Sequence, residues 1–350
     1  MRVALDAQLA LGTATGIGEY VTGLAQALRR RGADISLLQC PRLDPWRFDR
    51  RVLWDQVLLP IAAHRARPDV LHCASGTMPA LAPRATVVTV HDMAWLRVQQ
   101  HAPAYARAYF GAFQLTRYRR AARIVVDSSF SRDEFLRLAA VDPARVEVVY
   151  PGVARDICAL VRCPQSEPLA LVVGTIERRK NLEVVVRALQ SFPRMQVVAC
   201  GPFTPYRDEV ERLARACGVI ERLHMPGYVG RSELLALYSR ATLVAMPSRY
   251  EGFGYGAAQA QCAGVPLLAA SGSSLPEIVA GAAPLLAPDD VTAWVEALRA
   301  LLADPGAAEA RAAAARPAAI ARFAWARAAA AMETIYRATL DERQEQQRSS

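Results

Sequence analysis

Leu169-Ala-Leu-Val-Val-Gly174-Thr175-Ile-Glu177-Arg-Arg179-Lys180-Asn181-Leu-Glu183 reads as a buried strand, a glycine turn and the start of a capped helix. A short apolar run closed by Gly fits a strand covered on both faces, and the apolar spacing that follows fits an amphipathic helix. Asn181 is a favoured helix N-cap and is expected to cap the helix that follows. A turn of this kind, beyond a strand and at a helix N-terminus, is where α/β proteins bind anions. Lys180 is the only lysine in 350 residues and Asn181 the only asparagine; the other 41 basic residues are Arg. In such a background, a surviving Lys marks a place where a compact ammonium works and a planar guanidinium does not.

The same strand–turn–helix alternation extends in both directions. Strands are expected near Val3–Asp6, Ile35–Leu38, Val70–His72, Thr86–His91, Ile124–Asp127 and Val146–Val149 in the first half. The second half gives Ala170–Val173, Gln196–Cys200, Leu223–Met225, Leu243–Met246 and Pro266–Ala269. Amphipathic helices fall between them, including Val21–Arg30, Leu182–Leu189 and Arg207–Cys217. This is the pattern of βαβ units and parallel sheets. Since 350 residues are long for one core, two similar α/β domains with a cleft between them are predicted. Tyr150-Pro151-Gly152 closes the first series, and the stretch from there to Pro168 reads as a linker. The expected domains are residues 1–160 and 161–320. Residues 307–330 are Ala/Arg-rich and helical in composition, with a break or kink expected at Pro317, and 341–350 are expected to fray.

Composition narrows the function. Hydrophobic residues make up 53% of the chain, yet no apolar run approaches a membrane span. The N-terminus starts a strand directly and lacks a signal-peptide layout. Seven cysteines without a CxxC pair argue for reduced thiols and a cytoplasmic location. No Cys/His cluster has zinc spacing, and no Asp-x-Asp triplet is present to hold a metal-bound diphosphate. The net charge of +9 is uneven, with 21 Arg against 14 acidic residues in 1–160. A basic first half suits nucleic acid, an anionic membrane or an anionic substrate. Nucleic acid is the weaker reading, because no helix-turn-helix, zinc-finger or RNP pattern occurs. A solvated surface explains much of the excess.

Four constellations can carry chemistry. Thr15-Gly16-Ile17-Gly18-Glu19-Tyr20 follows the first strand, where Gly16 and Gly18 would let a backbone approach a ligand; a plain turn is the alternative. The loop before it is too long for a nicotinamide fingerprint, and the third Gly of GxGxxG is missing. Val88-Thr-Val-His91-Asp92 ends a buried strand in two polar residues, where α/β sheets gather ligands; a capping role for His91 is the alternative. The Lys180 turn, with Thr175 and Arg179, can meet a diphosphate. Met246-Pro-Ser-Arg-Tyr-Glu251-Gly252-Phe253-Gly254-Tyr-Gly-Ala-Ala-Gln259 is the most specific: strand, Gly-rich turn, small-residue helix. There a carboxylate beside helix N–H groups can hold sugar hydroxyls while the amides hold phosphate. Close packing of that helix on its strand is the alternative.

These residues resemble the family 4 retaining glycosyltransferases. The likeness rests on Glu251-Gly-Phe-Gly with a polar residue eight positions on, Ala-Gly264-Val-Pro, Ser-Ser-Leu-Pro-Glu277 and Val-Gly-Thr-x-Glu-x-Arg-Lys180-Asn181. Supporting matches are Thr-Gly-Ile-Gly-Glu-Tyr20, Val-His91-Asp92, Asp127-Ser-Ser-Phe-Ser-Arg, Val-Val-Tyr-Pro-Gly-Val153 and Gly227-Tyr-Val. The chain is most similar to mannosyltransferase-like members of bacterial O-antigen and exopolysaccharide synthesis. The resemblance implies a GT-B fold of two Rossmann-like domains, with a final helix at 321–340 crossing back to the first. It implies an enzyme that needs neither a metal, in agreement with the missing Asp-x-Asp, nor another cofactor, and whose co-substrate donor is a nucleotide sugar, with GDP-mannose the first expectation.

Carried over by residue, Lys180 and Arg179 would neutralise the donor diphosphate and Glu251 would hold hydroxyls of the transferred sugar. The amides of Phe253 and Gly254 would meet phosphate, with Thr175 and Gly252 beside them. His91 would contact the sugar, and Gly16 to Gly18 would let donor or acceptor approach. Gln259 stands where the family usually has a second glutamate that binds ribose; an amide offers one acceptor oxygen and a donor instead of two acceptors. Other readings are a different donor such as GDP-rhamnose or a UDP-sugar, another GT-B enzyme such as an epimerase, or a non-catalytic sugar-nucleotide-binding subunit. The expected acceptor is a saccharide, with a lipid-linked one favoured. The aromatic-basic stretch Ala104–Arg123 would suit peripheral docking on an anionic inner membrane, with a core-facing stripe as the alternative.

Overall fold

Apolar runs rich in Val, Leu and Ala, which leave no room for water on either face, become the strands of two parallel sheets. A computed structural model describes residues 1–12, 16–83, 85–98 and 104–348, without the side chains of 343 and 346–348. Thr15, quoted above with the first glycine loop, lies outside the described residues. The chain divides into two units, Met1–Gly152 with Ala324–Ser350, and Val153–Phe323.

In the first unit the strands are β1 (Arg2–Asp6), β2 (Asp34–Leu38), β3 (Val70–Cys73), β4 (Thr86–Val90), β5 (Arg123–Val126) and β6 (Val146–Val148), in the order β2-β1-β3-β4-β5-β6. In the second they are β7 (Leu169–Val173), β8 (Gln196–Cys200), β9 (Leu223–Gly227), β10 (Leu243–Met246), β11 (Leu267–Ala270) and β12 (Leu285–Leu286), in the order β12-β11-β10-β7-β8-β9. Every pairing within them is parallel. The α/β class with parallel sheets is as the sequence predicts. β12 was not anticipated: two residues carry no periodicity, and it exists only by pairing with the end of β11.

The order of each sheet fixes where its loops converge. It reverses between β1 and β3 in the first sheet, and between β7 and β10 in the second. Loops leaving neighbouring strands at such a reversal diverge to opposite faces and open a crevice at the carboxyl ends. The Lys180 turn leaves β7 and the Glu251 turn leaves β10, so sheet order alone brings them together.

Helices cover both faces of the first sheet. On one side lie Tyr20, Val21, Leu24 and Leu28 of helix Gly16–Arg30, with Met332 and Tyr336 of helix Trp325–Arg348; on the other lie Trp54, Leu59, Tyr118 and Phe135. Trp325 is seated against Gly23 and Gly152, where a Cβ would come within 2.2 and 2.3 Å of its ring. Helix Gly16–Arg30 begins five residues before the expected start. Pro317 does not end its helix, which runs as one element over Pro305–Arg322.

The aromatic-basic stretch is not one regular helix. A π-helical segment, Ala108–Phe113, separates Ala104–Arg107 from Gln114–Tyr118. Its rings turn largely onto the protein: Phe48 lies 4.6, 5.8 and 5.9 Å from the rings of Tyr105, Tyr109 and Phe110, and Trp95 stacks on Phe110 at 4.9 Å. Tyr105 remains 57% exposed. Among the described residues no helix is long and apolar enough to cross a membrane.

Candidate active site

At the end of β7 the backbone turns through Gly174, whose φ of +136° is open to glycine. The Lys180 side chain lies over it: a Cβ there would sit 3.4 Å from Lys180 Cε. Arg178–Lys180 forms a single 3-10 turn, which directs Lys180 back toward β10. Lys180 Nζ donates to Glu251 Oε1 at 2.6 Å, and Ser248 Oγ donates to the same oxygen at 2.7 Å. Arg179 Nη1 donates to Glu251 Oε2 at 3.3 Å and to the Tyr250 carbonyl at 2.9 Å, while Arg179 Nη2 pairs with Glu177 Oε1 at 2.8 Å. The turn carrying Glu251 is held from the next loop. The Glu251 N–H donates to Ser273 Oγ at 2.9 Å, and Ser274 Oγ donates to the carbonyls of Glu251 and Phe253 at 3.1 and 2.9 Å.

The side chains of Lys180 and Arg179 are 17% and 15% exposed, against 6% for Glu251. Both cations can therefore be reached from solvent although little water surrounds them. Burial works against ionisation of Glu251, but Lys180 and Arg179 outweigh it and hold its pKa below the ordinary carboxylate value. The carboxylate is ionised at neutral pH, and each cation has an anionic partner.

Asn181 does not cap the helix Leu182–Leu189. Its side chain makes no cap hydrogen bond, and its backbone is left-handed at φ +55°. Asn tolerates that region better than other residues with a Cβ. Its side chain is fully buried and serves a different purpose: Nδ2 donates to the carbonyls of Pro288 at 2.6 Å and Pro247 at 3.2 Å, tying the Lys180 turn to two other loops. Sequence placed Asn181 at the right boundary with the wrong job, because the capping preference and the left-handed preference select the same residue.

Thr175 lies half-buried in the Lys180 turn, and Gly252, Phe253 and Gly254 follow Glu251 into helix Tyr255–Ala263. Gly254 stands at the head of that helix with φ +93°. Gln259 points from the same helix, 4% exposed, and its Oε1 accepts a hydrogen bond from Tyr238 OH at 3.0 Å. Seven of the expected donor residues, Thr175, Arg179, Lys180 and Glu251 to Gly254, thus gather at the ends of β7 and β10. Ser248, Ser273, Ser274 and Glu177 complete the constellation and were missed. The sequence signal for Ser273, Ser274 and Glu177 was their place in the motifs Ser-Ser-Leu-Pro-Glu277 and Val-Gly-Thr-x-Glu-x-Arg-Lys180-Asn181, which gave them no role.

In the first unit His91 follows β4. Its partner is Asp127, beyond the end of β5, and not the adjacent Asp92, whose side chain accepts from Ala94 N–H at 2.9 Å. His91 Nδ1 lies 2.6 Å from Asp127 Oδ2 and Nε2 lies 3.0 Å from the Ala74 carbonyl. A carbonyl only accepts, so Nε2 carries a hydrogen, and an ionised Asp127 favours a second on Nδ1 and with it the imidazolium charge. Burial opposes that charge, and Asp127 more than offsets it, leaving the His91 pKa raised. Burial also raises the pKa of Asp127, against the pull of His91. The ring of Tyr20 stands edge-on to His91 at 5.0 Å. Tyr20 belongs to the helix that Gly16 opens; Gly16 is exposed, while Gly18 is buried against the Leu9 carbonyl.

A second ion cluster of this unit lies deeper. Arg51 Nε meets Asp55 Oδ1 at 3.0 Å and Arg51 Nη2 lies 3.6 Å from Asp6 Oδ2, with Tyr109 OH donating to Asp55 at 3.0 Å and Trp54 Nε1 to Asp6 at 2.9 Å. The Arg51 side chain is 4% exposed and both carboxylates are fully buried. Burial pushes the Asp55 pKa up to about 6 despite Arg51.

Residues 14–156 match the family described as Glycosyltransferase Family 4, and residues 161–318 match Glycosyl transferases group 1. A D-inositol 3-phosphate glycosyltransferase of Xylanimonas cellulosilytica is 32% identical over 387 residues, spanning 93% of this chain and 92% of that one. Its namesake in Mycolicibacterium paratuberculosis is 31% identical over 235 residues, or 63% of this chain and 53% of that longer one. Among solved structures, a sucrose-phosphate synthase of Thermosynechococcus elongatus superposes with a TM-score of 0.81 at 20% identity, over 98% of this chain and 100% of that one. WaaG, a glycosyltransferase involved in lipopolysaccharide biosynthesis, gives 0.74 at 19% identity over 95% and 99%. Identities this low speak for the fold alone.

Proposed function

The chain belongs to the family 4, group 1 glycosyltransferases of GT-B fold, and from that membership we propose that it transfers a hexose from a nucleotide sugar with retention of anomeric configuration and without a metal ion. The observation that carries the proposal is the Lys180–Glu251 pair at the β7/β10 reversal, a cation and an anion placed 2.6 Å apart where a sugar diphosphate has both a charge to neutralise and hydroxyls to hold. Lys180 and Arg179 take the diphosphate, Glu251 takes sugar hydroxyls, and the amides of Phe253 and Gly254 meet phosphate from a helix N-terminus. Thr175 and Gly252 line the same turns, and Gln259 faces the ribose. His91, held by Asp127, meets the sugar.

In the proposed reaction the acceptor hydroxyl attacks C1 on the face the diphosphate leaves. The C1–O bond to phosphate breaks, and the departing phosphate oxygen takes the hydroxyl proton. Charge accumulates on that oxygen in the transition state, which is where the Lys180 ammonium lowers the barrier. GDP-mannose is the first donor to test and a saccharide, lipid-linked at an anionic membrane, the first acceptor. A second acceptor reading, a cyclitol phosphate, is favoured by the name of the 32%-identical relative and by the basic first half.

One experiment covers these readings: a panel of GDP- and UDP-hexoses against lipid-linked saccharides and inositol 3-phosphate, with EDTA, reading product anomeric configuration by NMR. An α-linked product from an α-linked donor in EDTA is expected. An inverted product, or activity restored only by a divalent cation, refutes the mechanism. Binding without turnover across the panel favours the non-catalytic subunit instead.

A further inference from the structure

Resting on the reading of this site as a nucleotide-sugar site, we propose that Glu251 also discriminates substrate from spent product, acting as the anion that displaces the nucleoside diphosphate once the sugar has left. The argument starts from charge. In the free protein Lys180 and Arg179 are neutralised by Glu251 and Glu177, two cations against two carboxylates. Glu251 Oε1 accepts from both Lys180 and Ser248, and Oε2 accepts from Arg179.

A diphosphate bound to Lys180 shares that ammonium with the Glu251 carboxylate, in a place where only 6% of the Glu251 side chain meets solvent. Two like charges on one ammonium repel, and the poorly hydrated setting amplifies the repulsion. A nucleotide sugar relieves it, because its sugar hydroxyls donate to the two carboxylate oxygens as the cations turn to phosphate. A nucleoside diphosphate has no such hydroxyls in that position. After transfer the carboxylate is left facing the diphosphate with Lys180, Arg179 and Ser248 as its donors, and it competes for the same cations. Binding of the substrate and expulsion of the product therefore both follow from one carboxylate.

Isothermal titration calorimetry with GDP and UDP, and with their hexose conjugates, tests this on the full chain. Glu251→Gln keeps the shape and removes the charge. It is expected to bind the nucleoside diphosphate roughly tenfold tighter than the wild type, while its affinity for the nucleotide sugar falls. In Glu251→Gln with Lys180→Ala the gain should disappear, since it acts through the freed ammonium. Ser248→Ala leaves the charge in place and removes a neutral donor from Oε1, so the carboxylate leans harder on Lys180. Diphosphate binding should then weaken severalfold, the opposite sign, and this variant decides the matter if Glu251→Gln fails to fold. Equal or weaker diphosphate binding in Glu251→Gln, or a gain that survives Lys180→Ala, overturns the proposal while leaving the active-site reading intact. A wild type that binds neither diphosphates nor nucleotide sugars overturns both.

Discussion

Two clusters in which largely buried cations meet two carboxylates are built to opposite ends. Arg51, Asp6 and Asp55 in the first unit are sealed, with the carboxylates fully buried and aromatic donors from Trp54 and Tyr109 closing around them. Lys180, Arg179, Glu177 and Glu251 in the second unit have comparable distances, but their cations keep 15–17% of their side-chain surface in contact with solvent. Charge pairing alone thus does not mark a functional site. A sealed cluster can only hold elements together, and removing one partner strands a buried charge. An accessible one can exchange a carboxylate for a ligand.

The largest effect should come from breaking the sealed cluster. Arg51→Ala is expected to destabilise the protein by about 3–5 kcal/mol, since it leaves buried carboxylates uncompensated; a denaturant melt within 1 kcal/mol of wild type would erase the contrast. The accessible cluster should answer in activity. Lys180→Arg is expected to cost roughly 100-fold in kcat/KM, about 2.7 kcal/mol of transition-state stabilisation, with little change in Tm. Near-wild-type turnover would show that the ammonium is dispensable.

Asn181→Ala should cost about 2 kcal/mol, from a left-handed Ala backbone and the loss of buried carbonyl partners. Asn181→Gly, which tolerates that φ, should recover part of it in the same melts. A smaller effect concerns pH. His91 and Asp127 both have raised pKa values, so the folded state binds their protons more tightly than the unfolded chain. Their contribution is complete below the unfolded values and is lost as pH rises through the folded ones. Stability should therefore decline as pH rises, and the decline should flatten in Asp127→Asn; Asp92, His72 and Tyr20 also face this group and stay unchanged in that comparison. Smallest of all, Gln259→Glu should lower the donor KM by about threefold, because a carboxylate can accept from ribose and Tyr238 together. A raised KM would show that the amide is the preferred partner.

Much of the architecture was legible because parallel sheets leave a strong trace: strands buried on both faces become unbroken apolar runs, and eleven of the strands were placed within a residue or two. β12 left no trace, being two residues long. The start of helix Gly16–Arg30 was misjudged because glycines read as loop. Within the site, Lys180 and Glu251 stood out by rarity and by motif, whereas Ser248 and Glu177 are ordinary surface residue types until the backbone turns them inward. Asp127 was visible as part of a motif, but its pairing with His91 depends on β4 and β5 being neighbours, and Asp92 was the more obvious partner on the page.

Sequence by itself determined the α/β class, the strand–turn–helix units, the family, and the residues that carry charge at the strand ends, because these depend on local periodicity and on residue type. Only the tertiary structure decided that Lys180 and Glu251 share a hydrogen bond, that Asn181 bridges loops and does not cap, and that one ion cluster is open while the other is closed. Each of those depends on which strands lie side by side and on how much water remains between them, and neither is a property of any stretch of chain read alone.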